Sequence, residues 1–412
     1  MRTIIGVDIG TSFIRVAVGE VVEDNSVRII GTSCEKSEGL NRGNIVNIVA
    51  ASNAIRHAIE SAEQMAGVQI SSCFVSSGGN QIDCQQGVGK VAILEKTKGR
   101  REIDQSDIDR AIECATAVNI TMDREKLHVA IQEFRLDNTS YVIKEPLHSL
   151  AYSLDVSVLI ITASRTSIRN INACLNSAGY DVAGVILKTF AAQVAVTTKE
   201  ERELGSVIID LGAGTTDILV LYKDAPAYIA SIPLGGIDVT NDIAIVLGIP
   251  FDEAEKIKID FGCCWVENVD QNSTVIVNGV GGRPPEEVPN SKVSKIIQDR
   301  MAEILKMVGN KISANTGFGE LAGNIILIGG GACLDGVIEL TQSVFGTSAV
   351  RIGTPDGFGD LNQECESPEW STAFGLVAYS KDKGHENKES KKQLASKPRS
   401  GNIFSKIIRA LF

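Results

Sequence analysis

The 412-residue chain has no apolar run near the roughly 20 residues that a membrane-spanning helix needs, so no segment is expected to cross a bilayer. Its start, Met1-Arg2-Thr3 and then Ile4 to Val7, meets Asp8 too soon for a signal peptide, and the chain is expected to stay in the compartment where it is made. Histidine is scarce: His57, His128, His148 and His385 are too dispersed for a metal set or a triad. The nine cysteines (34, 73, 84, 114, 174, 263, 264, 333 and 365) lack the paired spacing of a zinc site and are odd in number. They are expected to be reduced thiols, mostly small core residues. Aromatics are few at 5%, and the two tryptophans, Trp265 and Trp370, are expected to pack rather than to stack on a ligand. Positive charge is also short, 40 Lys and Arg against 51 acids, and the resulting −11 argues against nucleic acid as a partner of the body.

What is present is a globular composition, 43% hydrophobic and 22% charged, over a length that implies two to four domains or subdomains. The charge is uneven. From Lys381 to Phe412 nine Lys or Arg stand against three acids, a local +6, so the end of the chain is expected to meet an anionic partner that the acidic body does not. Residues 381–400 are polar, lysine-rich and aperiodic, and read as a disordered linker.

A strand–turn–strand pattern occurs twice. Residues 3–7 lead into Asp8-Ile9-Gly10-Thr11-Ser12 and out through residues 13–22. Two hundred residues later Val207-Ile208-Ile209 lead into Asp210-Leu211-Gly212-Ala213-Gly214-Thr215-Thr216-Asp217 and out through Ile218 to Tyr222. The spacing predicts helices over Ile48 to Ala66 and Ile103 to Val118 and a long one over residues 292–313. Strands are predicted over Leu127–Leu136, Tyr141–Lys144 and Asn324–Ile328, the last running into Gly329-Gly330-Gly331. Residues 82–160 read as a small α+β unit between the two halves.

Glycine lets the backbone present N–H groups to phosphate oxygens, and Thr and Ser add hydroxyl donors. Two opposed turns, each led by an aspartate, would clamp a triphosphate from both sides. Asp8 and Asp210 would hold Mg²⁺ through its waters, because Mg²⁺ dehydrates reluctantly. Asp217 either orients a water or the metal shell or is a capped turn residue. No Gln, Glu or His stands out as a base for an attacking water, so turnover and its catalytic residue stay undecided.

These two turns, together with Ile328-Gly329-Gly330-Gly331-Ala332, resemble the two phosphate motifs and the adenosine motif of the actin, sugar-kinase and heat-shock-chaperone superfamily. Within it the chain resembles the FtsA cell-division proteins over nearly its full length. Gly39 to Asn47, Phe74 to Asn80, Glu200 to Gly205, Pro233 to Ala244 and Ala254 to Lys258 are similar to that family's segments. The resemblance implies an actin-like (ribonuclease H-like) α/β fold of two domains. Residues 1–81 and 161–205, completed by about 366–380, would form the first domain, and 206–365 the second, with 240–320 its smaller part. Residues 82–160 would be an inserted α+β subdomain. It also implies ATP and Mg²⁺ as ligands, held by Asp8, Gly10, Thr11, Ser12, Arg15, Asp210, Gly212, Gly214, Thr215, Thr216, Gly235, Glu255, Lys258, Gly329, Gly330 and Gly331. Arg15 stands where the superfamily often has a lysine, and Asn47 where the family more often has an acid; a guanidinium fork does not replace a compact ammonium.

The last twelve residues, 401–412, place Ile403, Phe404, Ile407, Ile408, Leu411 and Phe412 on one helical stripe flanked by Lys406 and Arg409. At about 18 Å such a helix is too short to span and suits an interface, either lipid or the chain's own surface. The charges on the 292–313 helix read as a solvated face. The family resemblance implies instead that the tail anchors the protein on anionic lipids. It further implies that Arg300, with Lys292 and Glu303, receives the tail of the division polymer FtsZ. The implied role is an ATP-binding protein that polymerises at the cytoplasmic face of the inner membrane at the division septum, anchoring the FtsZ ring among other division proteins. The alternatives are a pilus-assembly actin-like adaptor and a sugar kinase or exopolyphosphatase.

Overall fold

Two five-stranded sheets follow one plan. In the first, the strands run in the order Asp181–Leu187, Ser72–Ser77, Arg2–Ile9, Phe13–Val21, Val27–Lys36. In the second the order is Val350–Ile352, Asn324–Ile328, Ser206–Leu211, Thr216–Tyr222, Ala225–Ile232. Each has an antiparallel meander of three strands on one side of its centre and two parallel strands on the other. The computed structural model describes residues 2–22, 26–93, 100–277, 284–316, 323–359 and 362–381. The predicted 401–412 helix, and the linker beyond Lys381, lie outside the described residues.

Central strands read as unbroken apolar runs because both sheet faces are covered. Val207, Ile209 and Leu211 face one core and Ile208 the other. Between the sheets lie two helices, Lys188–Val196 and Ser371–Ser380, whose mutual packing requires small residues. A Cβ on Gly375 would stand 2.0 Å from the Ala191 carbonyl oxygen, so the two backbones touch there. Outside the first sheet lie Ile48–Ala66 and Arg165–Ala178; outside the second lie Asn290–Thr316 and Val337–Phe345.

Local chemistry sets several boundaries. The first helix covers Ile48–Ala66 as predicted, with the Asn47 side chain accepting from the Ala50 N–H and Gly67 ending it in a left-handed turn. Asn47 is thus a cap. The Ile103–Val118 prediction shortens to Gln105–Thr116, because Asp104 and Asp107 form a reciprocal capping box.

The inserted unit is a four-stranded sheet of Val142–Ile143, Arg124–Leu136, Ser153–Ser164 and Ile82–Ala92 under the Gln105–Thr116 helix. It enters after the Ser72–Ser77 strand and leans on the second sheet's edge strand. There the Cys84 thiol donates to the Ile229 carbonyl and Gln132 to that of Pro226. The second half carries its own insertion elsewhere, after Ala225–Ile232: the helices Gly236–Leu247 and Phe251–Phe261 and the hairpin Thr274–Val277/Glu286–Pro289.

Five of the nine cysteines are buried, while Cys34, Cys114 and Cys333 are exposed and Cys84 is intermediate. Trp370 is buried against Phe374, and Trp265 is partly buried against the second core.

Candidate functional site

The two Asp-x-Gly turns have one geometry. In the first, the Gly10 N–H donates to the Phe13 carbonyl at 3.1 Å; in the second, the Gly212 N–H donates to that of Thr215 at 3.0 Å. Asp8 pairs across its hairpin with Arg15, and Asp210 with Asp217. The tips nearly meet: a Cβ on Gly214 would lie 2.8 Å from Thr11 Oγ1 and 2.8 Å from Arg42 Cα. Glycine is required at 214 because the halves close there.

Between the tips and the two hinge helices, Lys188–Val196 and Ser371–Ser380, is a cavity of about 490 Å³. All sixteen residues predicted to hold nucleotide line it: Asp8, Gly10, Thr11, Ser12, Arg15, Asp210, Gly212, Gly214, Thr215, Thr216, Gly235, Glu255, Lys258, Gly329, Gly330 and Gly331. Their detailed settings differ. Asp8 accepts from Ser76 Oγ at 2.7 Å. Gly329, at φ +81°, lies so near Asp210 Oδ1 that a Cβ would be 2.4 Å away. The Gly236–Leu247 helix begins on the second turn, with the Gly236 and Ile237 N–H groups donating to the Gly212 and Ala213 carbonyls. Lys258 donates to Glu255 at 2.8 Å, to Thr240 and to the Gly236 carbonyl, closing the far wall.

Arg15 points to the hinge side. Its guanidinium is 2.5 Å from Glu369 and lies over the Phe13 and Trp370 rings. The cation among the turns is one that the motif reading missed, Lys188. Its Nζ stands 3.1 Å from Asp210 and 2.6 Å from Asp217. Burial opposes the ammonium charge, but Asp210 and Asp217, aided by Asp8, outweigh it and raise the lysine pKa. Asp217 also accepts from the Gly79 N–H and from Thr215 Oγ1, so it joins the halves instead of merely capping its turn. At the mouth Arg42, also missed, reaches the Pro233 carbonyl at 2.7 Å and Asp238 at 2.8 Å across the cleft. Lys188 had a sequence signal: a lone cation inside the apolar run from Ala183 to Val196. Among the described residues no three His, Cys, Asp or Glu side chains converge to ligate a metal directly.

Away from the cleft, Arg300 binds Asp242 through two nitrogens, at 2.6 and 3.0 Å, and Glu303 at 2.5 Å. Lys292 is exposed two turns earlier on the same helix.

Two halves of one topology, hinged on paired helices and closed over a glycine-lined cleft, define the class as actin-like. Solved structures agree on the fold. A type IV pilus PilM–PilN complex aligns at TM-score 0.63 and 16% identity, over 92% of this chain and 98% of that one. MreB5 of Spiroplasma citri bound to AMPPNP aligns at 0.56 and 14%, over 95% and 99%. Family models described as cell division protein FtsA and as the SHS2 domain inserted in FtsA match residues 207–375 and 79–162. A third, for type IV pilus assembly protein PilM, matches residues 122–269. The FtsA of Borreliella burgdorferi is 39% identical over 99% of this chain and 98% of its own length; that of Escherichia coli K12 is 33% identical over 94% and 92%. The chain belongs to the FtsA family of actin-like cell division proteins.

Proposed function

We propose that this cell-division protein binds ATP with Mg²⁺ in the cleft, assembles with itself, and anchors the FtsZ ring on the cytoplasmic face of the inner membrane at the septum. The observation that carries the reading is the closed cradle of two Asp-x-Gly hairpins in a chain of this family. Side chains are excluded where phosphate oxygens would need backbone N–H groups, at Gly10, Gly212, Gly214 and Gly329. Asp8 and Asp210 supply hard oxygens, which suit Mg²⁺ held through water. When bound, the metal supplies charge neutralisation at the phosphates. The chain's own part is to position: Ser76 fixes Asp8, Gly236 and Ile237 hold the second turn on a helix N-terminus, and Glu255 with Lys258 walls the nucleoside side.

Arg300 with Lys292 and Glu303 is proposed as the FtsZ-tail surface. There the existing Arg300–Asp242 pair presents a guanidinium already desolvated on one side. Residues 401–412 are proposed as the lipid anchor, carried by Ile403, Phe404, Ile407, Ile408, Leu411 and Phe412, with Lys406 and Arg409 toward headgroups. A single short helix binds weakly, so self-assembly would raise its effective concentration.

The test is co-sedimentation with anionic liposomes and ATP–Mg²⁺, comparing the full chain with one ending at Ser400. Pelleting of the full chain alone, followed by recruitment of FtsZ that Arg300→Glu abolishes, is the expected result. If both forms stay in solution and FtsZ is not recruited, the pilus-type adaptor reading takes its place. That reading is favoured by the PilM match over residues 122–269.

A further inference from the structure

Nucleotide would bring its phosphate charges into a cleft that already holds Asp8, Asp210 and Asp217. Three cations line the cavity among the described residues: Arg15, Lys188 and Lys258. Arg15 is turned to Glu369 at the hinge, and Lys258 is held by Glu255 on the far wall. Only Lys188 stands among the phosphate turns, 3.1 Å from Asp210 and 2.6 Å from Asp217.

Its placement is not explained by its own helix. Lys188 is the first residue of Lys188–Val196, where the helix dipole disfavours positive charge. The side chain is 15% exposed, and its stem is fixed by Gly78, where a Cβ would lie 2.6 Å from Lys188 Cδ. On the other side a Cβ on Gly212 would be 3.8 Å from Nζ, so the ammonium lies against the second turn. Two glycines thus aim a buried cation at the place where the two hairpins would meet phosphate.

We propose that Lys188 is a resident cation of the cleft. It supplies part of the charge neutralisation that a divalent metal gives, and so lets this chain keep its nucleotide when the metal is removed. The proposal rests on the nucleotide reading above. Mg²⁺ held through water at Asp8 and Asp210 would share the phosphates with the lysine; the two cations act in parallel. In a site shielded from water a fixed ammonium contributes more than it would at the surface.

The test is equilibrium binding of labelled ATP to the full chain, in Mg²⁺ and in excess EDTA, for the native protein, Lys188→Gln and Lys188→Arg. In the native protein EDTA should weaken binding by no more than about tenfold, and in Lys188→Gln by roughly a hundredfold or more. Lys188→Arg should fall between the two. A merely structural lysine would change both conditions equally, whereas the proposal requires the metal dependence itself to change. Native binding that collapses in EDTA as far as that of Lys188→Gln overturns the proposal and leaves the nucleotide site standing. Native protein that binds no nucleotide even with Mg²⁺ overturns both. Should Lys188→Gln unfold, checked by thermal melting, the native protein's own EDTA response decides.

Discussion

The two halves share a topology, yet one matched position of their hairpins carries opposite charge. Arg15 and Asp217 occupy the same register, seven residues after Asp8 and Asp210 respectively. Each pairs beside the start of one of the two helices between the sheets. Arg15, in the first half, meets Glu369 just before the helix Ser371–Ser380, which follows the second half's edge strand. Asp217, in the second half, meets Lys188 at the start of the helix after the first half's edge strand. The frame repeats while the sign exchanges, and of these two pairings only that of Lys188 crosses from one half to the other. Insertions differ in the same way: the first half is extended after its fourth sheet strand, the second after its third. A duplicated frame tolerates divergence where loops leave the sheet, and much less where the halves touch.

The exchange bonds differ in depth, and substitution should reveal that. Lys188→Glu would place another carboxylate among three and leave Asp210 and Asp217 buried without their cation. We expect a loss of about 4 kcal/mol, measured by urea denaturation. The hinge crossing comes next. Gly375→Leu forces a side chain against the Ala191 carbonyl, 2.0 Å from the Cβ position, and should cost about 3 kcal/mol by the same measurement. Gly67→Ala, at φ +67° with open space around it, should cost only about 1 kcal/mol. Equal effects at the two glycines would remove the argument that the hinge backbones touch.

Arg15→Gln tests the outer exchange bond. Glu369 is 33% exposed and can be solvated when its partner goes, so the expected loss is about 1 kcal/mol. A loss as large as that of Lys188→Glu would show that the two bonds are equivalent, against the asymmetry described here.

The paired hairpins were legible in the sequence because Asp-x-Gly turns between apolar strands leave a local pattern. The Ile48–Ala66 helix was legible for the same reason, having both periodicity and a cap. The pairings of Lys188 and Arg42 were not, because their partners lie across the cleft; Lys188 itself showed only as a lone cation in an apolar run. Asp217 is 29 residues from Lys188, and Asp238 is 196 from Arg42. Arg15, placed by the resemblance at the phosphates, lines the cavity, and its ion pair with Glu369, distant in sequence, was not legible. The short Val350–Ile352 edge strand had no signal of its own either, since three residues cannot show a period.

That edge strand gives the smallest and most specific contrast. The first sheet's counterpart, Asp181–Leu187, pairs through six of its seven residues, while Val350–Ile352 pairs through three and is tied instead by side chains. Arg351 donates to both Glu201 oxygens at 2.7 Å and to the Val196 carbonyl at the end of the hinge helix. Hydrogen bonding from Arg351, opposed by burial and supported by the Thr198 N–H and Asn324, lowers the Glu201 pKa from 4.5 to about 2. A carboxyl whose pKa falls on folding stabilises the protein above its unfolded value, and that contribution disappears as pH drops from 4.5 toward about 2. Melting curves of the native protein and Glu201→Gln should therefore differ most at neutral pH and converge as that window is crossed. A constant gap across the window would mean that Glu201 acts by packing alone. The second edge strand would then be held by something other than its ion pair.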